Sequence, residues 1–398
     1  MQKARLLLLC GALVFCACRK DPVPEPPSKD ADLTGQKVDV SGFPESLTKV
    51  FLLNEGGMGS NNATLDFLRI SDGNYVTGAF RKMNPDVGAG LGDVGNDISV
   101  HGDELWMVIN NSGIVEVVSA KDETEIAAIA VPTPRNIAFD DTYAYVTSWA
   151  GAFVSGSYDA DWNYVITDSR NPKGQVYRID LKTKKVTGSV EVGYQPEGIA
   201  LYEGKLYVAN SGGIASQLPP DYQYGKTVSV IKTDTFEAYT EVEVGINPKN
   251  VIADSERIYV TTQGDFFTVH SALYFIGANA NPLKADKKCE CVTAISVCGQ
   301  MVYGIGTEDE LDWEKTSKDY YVWSYSPVPM IGYKKLSSPA VSGTALSGLC
   351  VLSVGDNYLW MVTDQGDYVN PGRLDFYWKG EKAWSTTTGI CPGHFLAL

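Results

Sequence analysis

Apolar and polar positions alternate along most of this chain, and the alternation recurs as a phrase. GIALYEGKLYV at 198–208 returns as NIAFDDTYAYV at 136–146, as DISVHGDELWM at 97–107 and as NVIADSERIYV at 250–260. Fainter copies begin at Thr293 and Val351. A period of two, broken by a polar turn, predicts two paired strands. A recurring supersecondary unit predicts an array whose members bury their faces against one another. The outer halves recur too, since 176–193 parallels 228–245 around a Thr/Asp/Lys turn.

The residue that opens each phrase serves as a register mark. It falls at Asp97, Asn136, Gly198, Asn250, Thr293 and Val351, and a seventh mark is His394 four residues from the end. A four-stranded propeller blade needs about 40–45 residues, so the longer gaps carry insertions. Only one strand follows the last mark. Its missing partners are at the other end, at Lys49 to Asn54, Thr64 to Ile70 and Tyr75 to Phe80. The pattern therefore predicts an all-β fold: a seven-bladed β-propeller of four-stranded antiparallel blades over residues 49–398. The C-terminal strand pairs with the N-terminal blade and closes the ring, hiding both sheet edges. Trp106, Tyr145, Tyr207, Tyr259 and Trp360 share one register and are expected between blades rather than on a ligand.

Strand order decides which loops share a face. Counting strands A to D outward from the axis, the D-to-A junctions and B-to-C loops emerge together, and the insertions are in the B-to-C loops. Blade two carries Trp149 and Phe153, blade three Tyr222 and Tyr224, blade four Gln263 and Phe266, blade five Trp313, and blade six Tyr368. The N-terminal blade adds Asn54 at the head of a Gly-rich loop. The junctions add Asn96, Asp97, Arg135, Asn136, Glu197, Lys249, Asn250 and His394 near the axis. The opposite face has short, plain turns. Flat rings and polar groups gathered on one face are the makings of a ligand surface. Individual rings can also serve only to pack their own loop.

Composition narrows the class. Forty-eight acidic against 33 basic residues give a net charge of −15. Such a surface repels nucleic acid, and no basic cluster appears. Lys3 and Arg5 precede an apolar run ending in Phe15-Cys16-Ala17-Cys18. A basic start, a short apolar run and a small residue before cysteine resemble a lipoprotein leader. Residues 1–17 are then the signal peptide and Cys18 the lipidated residue. Residues 18–48, rich in Pro and acids, read as a flexible tether.

The body holds Cys289, Cys291, Cys298, Cys350 and Cys391, without zinc-finger spacing. Small buried hydrophobes, with at most one disulfide, are the expected role. Catalytic groups are scarce. His101 and His270 read as surface residues, and no serine-nucleophile motif is present. A metal-dependent lactonase could use Asp97, Asn136, Glu197 and Asn250 around the axis. Arg135 and Lys249 occupy matching junctions and oppose a cation there. Neither an enzyme nor an intrinsic cofactor or metal is expected.

The junctions Gly193-Tyr-Gln-Pro-Glu-Gly198 and Gly245-Ile-Asn-Pro-Lys-Asn250, with the blade phrase, resemble the YncE-like seven-bladed propellers. Phe51-Leu-Leu-Asn-Glu-Gly56 followed by Asn62-Ala-Thr-Leu65 looks like their DUF5074 branch. With the lipobox and tether, the chain is most similar to the BtuG-type cobamide-binding surface lipoproteins of Bacteroidota. That resemblance implies an outer-membrane, lipid-anchored protein, exposed outside the cell, that captures vitamin B12 and related corrinoids. It also implies delivery to a TonB-dependent transporter of the BtuB type. The alternative is a propeller lipoprotein that binds a glycan or a protein partner. No short motif carries a cobamide contact across, so the candidates above come from their place on the loop face. His394 could ligate the corrinoid cobalt, although a hydrogen-bonded or core-facing imidazole is the expected role.

Overall fold

The computed structural model describes residues 33 and 35–398, apart from 152, 159, 161–163, 171, 215–222, 278–279, 300, 313, 327–331, 337–340 and 355–356. It is a seven-bladed propeller of antiparallel sheets. Innermost strands are Gly95–His101, Pro134–Phe139, Pro196–Tyr202, Pro248–Ala253, Ala294–Cys298 and Leu346–Val354 for blades one to six. Pro392–Ala397 is the innermost strand of blade seven. It pairs with Lys49–Asn54, with Leu53 opposite His394 and Val50 opposite Ala397. Thr48 and Lys49 donate backbone N–H groups to the Leu398 carbonyl, so both chain ends share one ladder.

The repeated aromatics are the wedges between blades. Tyr145 packs with Leu206 and Val208 of the next blade. Tyr207 does so with Ile258 and Val260, and Tyr259 with Val302 and Trp323. Burying one such ring removes 150–250 Å2 from water. Two of these tyrosines are also tied to their hairpin. Asp140 accepts the N–H groups of Thr142 and Tyr143 and the Tyr145 hydroxyl at 2.6 Å. Asp254 repeats the device with Glu256, Arg257 and Tyr259.

Blade six departs from the expected register. Its hairpin pairs Val354 with Asn357, which puts Leu359 where the other hairpins carry an aromatic. A slip of one residue turns a side chain to the other face. Trp360 therefore packs back on Tyr303 and Tyr320 of blade five, and Leu359 and Met361 face blade seven. In blade five, pairing of Tyr303 with Ser296 moves the register mark from Thr293 to Ala294.

Blade seven differs in two ways. Its outer strand is only Asn74–Val76, and a short helix, Ala79–Met83, replaces the strand expected up to Phe80. Gly78 turns the chain at φ 61°, its N–H held by the Asp66 carboxylate, and Phe80 is buried. The body also begins before Lys49, in what the sequence suggested was tether. Gln36–Lys37 adds a fifth strand beside Asn74–Val76. Phe43 stacks on Phe376 of blade six at 4.9 Å between ring centres. An apolar ring in a Pro-rich stretch is what anchors this segment.

Candidate functional site

A cavity of about 870 Å3 runs along the axis and opens among the B-to-C loops and D-to-A junctions. Glycine at a register mark lets neighbouring inner strands crowd together there. A Cβ on Gly198 would lie 2.5 Å from the Lys249 carbonyl oxygen. Asp97, Asn136, Lys249, Asn250, Gln263, Phe266, Tyr368 and His394 all reach the wall, with Glu55, Glu310, Lys318 and Gln365.

The charged groups are interlocked. His394 Nε2 is 3.3 Å from Glu55 Oε1. Burial disfavours the Glu55 charge, but His394, Lys249 and Arg135 outweigh it and hold this carboxyl below its ordinary value. Asp97 goes the other way. Burial raises it against the field of His394 and hydrogen bonds from Ile137, Asn136 and Ile98. Arg135 Nε and Nη2 both donate to Glu197 Oε2, at 3.0 and 2.9 Å. The same guanidinium lies over the Trp149 ring, 4.5 Å from its centre. The buried Trp149 Nε1 has no hydrogen-bond partner among the described residues.

Asn54, Asn96, Arg135, Trp149, Glu197 and Tyr224 do not themselves line the cavity. Asn54 is fully buried. It donates to the Thr64 hydroxyl at 3.0 Å, inside blade seven. Asn96 is buried and donates to the Arg135 carbonyl at 3.2 Å, bracing the junction. Tyr224 meets Phe266 edge-on, at 6.5 Å between ring centres. Phe153 begins a hairpin of Phe153–Tyr158 and Tyr164–Arg170 within the blade-two insertion. Cys18, Tyr222 and Trp313 lie outside the described residues.

One feature of the rim is twinned. Gln263-Gly264-Asp265-Phe266 in blade four and Gln365-Gly366-Asp367-Tyr368 in blade six form the same turn. Gly264 and Gly366 have φ 67° and 64°, and the following rings, Phe266 and Tyr368, have φ 65° and 63°. Left-handed backbone is uncommon for a bulky residue and persists only where the surroundings enforce it. The aspartates do so. Asp265 accepts N–H groups from Phe267, Thr268 and Val269, and Asp367 those of Val369 and Asn370. Phe266 and Tyr368 stay 37% and 55% exposed. Each turn brings a glutamine amide and a ring to the cavity. The repeated tetrapeptide was the signal in the sequence; Gln365 carried it and was not among the candidates.

All five described cysteines are free thiols. No described helix is long and apolar enough to cross a membrane.

No protein-family profile matches this chain, and no curated protein matches it. Among solved structures it is similar to a functionally unknown protein from Desulfotomaculum acetoxidans, at 10% identity and a TM-score of 0.56, covering 88% of this chain and 98% of that one. A candidate 6-phosphogluconolactonase from Bacteroides fragilis aligns at 9% identity and a TM-score of 0.54, covering 89% and 99%. Hydrazine synthase from Kuenenia stuttgartiensis aligns at 14% identity and a TM-score of 0.52, covering 71% and 76%. At these identities the likeness is one of fold: all share the propeller architecture.

Proposed function

We propose that this protein is a surface lipoprotein of the YncE-like, BtuG-type class that captures cobamides outside the cell. It then passes them to a TonB-dependent transporter of the outer membrane. The observation that carries the binding half is the twinned turn. Two copies of one backbone device, on blades four and six, hold a glutamine amide and a half-exposed ring at the mouth of an axial cavity. A corrinoid is a broad disc fringed with carboxamides. Glutamine and asparagine amides can both donate to and accept from such a fringe. Phe266, Tyr368 and Trp149 offer flat apolar cover. Interspersed Glu55, Lys249, Arg135 and His394 suit a ligand with many polar groups better than a bare apolar one. Delivery and anchoring rest on the leader and on the resemblance in sequence pattern.

A lactonase-like hydrolase would need a divalent cation held by axial acids. Lys249 and Arg135 lie close enough to Glu55 to stabilise its charge, and positive charge beside an axial acid disfavours a divalent cation there. The deciding experiment is to mix the protein with cyanocobalamin and pass it through a size-exclusion column. Red colour travelling with the protein supports cobamide capture. Colourless protein with binding to a glycan array supports the sugar-binding alternative and overturns the cobamide reading.

A further inference from the structure

Beside the cavity, three potential metal ligands of different chemistry converge. His270 ends the blade-four loop just after the twinned turn, Cys291 begins the junction into blade five, and Glu310 is in the blade-five loop. His270 Nδ1 is 3.2 Å from Glu310 Oε2 and 3.5 Å from Cys291 Sγ. The three ligand atoms all lie within 4.8 Å of one another. We propose that His270, Cys291 and Glu310 form a zinc site that ties blade four to blade five at the cavity wall. This inference is independent of the cobamide reading.

The spacing is the first argument. Zinc binds nitrogen and oxygen at about 2.0–2.1 Å and thiolate at about 2.3 Å in a tetrahedron, so ligand atoms sit about 3.3 Å apart for nitrogen and oxygen and about 3.5 Å for nitrogen and sulfur. Two edges of the trio already have these lengths. The sulfur-to-oxygen edge is within 4.8 Å. Ligand chemistry is the second argument. One thiolate, one imidazole and one carboxylate suit zinc and exclude magnesium or calcium, which take oxygen ligands.

Support around the ligands is the third argument. Glu310 Oε2 also accepts the Ser271 N–H at 3.0 Å, which orients the carboxylate. Ser271 in turn fixes the cysteine loop, its carbonyl accepting the Cys291 N–H and its hydroxyl the Val292 N–H. Cys291 is held at φ 59°, an uncommon conformation for a residue with a side chain. Lys318 donates to the Glu310 carbonyl at 3.0 Å and braces the loop. On binding, Zn2+ takes the place of the Sγ proton, which leaves to solvent. The thiolate and the carboxylate balance the two positive charges of the ion, and water completes its shell. Glu310 and Ser271 line the axial cavity, so the site belongs to the cavity wall.

The test is titration of the reduced protein with Co2+. One equivalent should give a thiolate-to-cobalt charge-transfer band and the visible bands of four-coordinate Co2+, and Zn2+ should abolish both. Cys291→Ser should lose the charge-transfer band, whereas Cys298→Ser keeps it. By calorimetry, His270→Ala and Glu310→Gln should each weaken Zn2+ binding by more than the roughly 10–100-fold cost of losing a group that only orients a ligand. Wild-type protein without the band, or a band that survives in Cys291→Ser, overturns the proposal. The wild-type measurement decides even if a variant fails to fold.

Discussion

His394 Nε2 lies 3.3 Å from Glu55 Oε1, although 339 residues separate them in the chain. One belongs to the last strand and the other directly follows Lys49–Asn54, the strand it pairs with. The closure of the ring is thus also what assembles the charged floor of the cavity mouth. Glu55 is held below its ordinary value of 4.5 by His394, Lys249 and Arg135, against the cost of burial. A carboxyl with a lowered folded value contributes stability above its unfolded value, and the contribution fades as pH falls through the folded one. Glu55→Gln should therefore lower the melting temperature at pH 7 by about 2 °C. The gap between variant and wild type should shrink below pH 4.5. A gap that does not change between pH 7 and pH 3 contradicts this.

Removing residues 392–398 strips the innermost strand from blade seven and exposes the edge of Lys49–Asn54. An unpaired edge loses its ladder and invites association with other chains. The truncated protein should melt roughly 10 °C lower or lose its cooperative transition, and should aggregate on heating. Calorimetry of the truncated and intact proteins side by side checks this, and unchanged melting would refute the latch.

Glu116 is 2% exposed and its Oε1 has no partner among the described residues. Burial, with Glu125 nearby, pushes its carboxyl up to about 8. Between pH 4.5 and 8 the unfolded chain gives up this proton and the folded chain keeps it. Stability then falls as pH rises through that window and levels off above it. Glu116→Gln removes the penalty, so it should melt about 2 °C or more above wild type at pH 9 and close to wild type at pH 4. Parallel melting curves across this range would show that the carboxyl is not buried uncompensated.

Much of this architecture was legible because blade packing obeys a period of two. Tyr145, Tyr207 and Tyr259 stand out in the sequence because each must fill the space between two sheets, and the structure puts each there. Trp360 also fills the space between two sheets, but from the other face of its strand, because an aromatic fits either face and the hairpin register, fixed by Val354 and Asn357, decides which. The strand expected at Tyr75 to Phe80 failed because Gly78 admits a turn and Asp66 rewards it with a hydrogen bond. Site residues were harder. Asn54 and Asn96 occupy the right junctions, yet their amides satisfy backbone and hydroxyl groups inside the fold. Gln365 was missed because the repeat that marks it is four residues long and lies outside the blade phrase. His270, Cys291 and Glu310 are distant enough in sequence that no spacing rule unites them.

Anchoring is tested apart from the fold. A diacylglyceryl cysteine at Cys18 would hold the body at the membrane by several chains, which is more than the marginal grip of one. Cys18→Ala should move the protein to the soluble fraction or leave an unprocessed precursor. Membrane fractionation that is unaffected by the change removes the lipoprotein reading. Protease shaving of intact cells reports whether the body faces outward.

The twinned turn makes the sharpest claim about binding. If Gln263-Gly264-Asp265-Phe266 and Gln365-Gly366-Asp367-Tyr368 grip one ligand from two sides, damage to either should weaken capture by a similar amount. A ring that is a hot spot costs about 2 kcal/mol or more on truncation, and a ring on the rim costs little. Phe266→Ala and Tyr368→Ala should each weaken cyanocobalamin binding about 30-fold in calorimetry, since 1.4 kcal/mol is a factor of ten. Gln263→Ala and Gln365→Ala should each cost about 1 kcal/mol, the worth of one hydrogen bond exchanged with water. Trp149→Ala also frees Arg135 from its ring, so its effect should exceed that of either glutamine. Two rings on one ligand are coupled, and the double variant should fall short of the sum of its parts. Wild-type binding untouched by all five changes would move the ligand off this face. Loss with Phe266 and none with Tyr368 would leave the cavity as the site but make the second turn a structural copy.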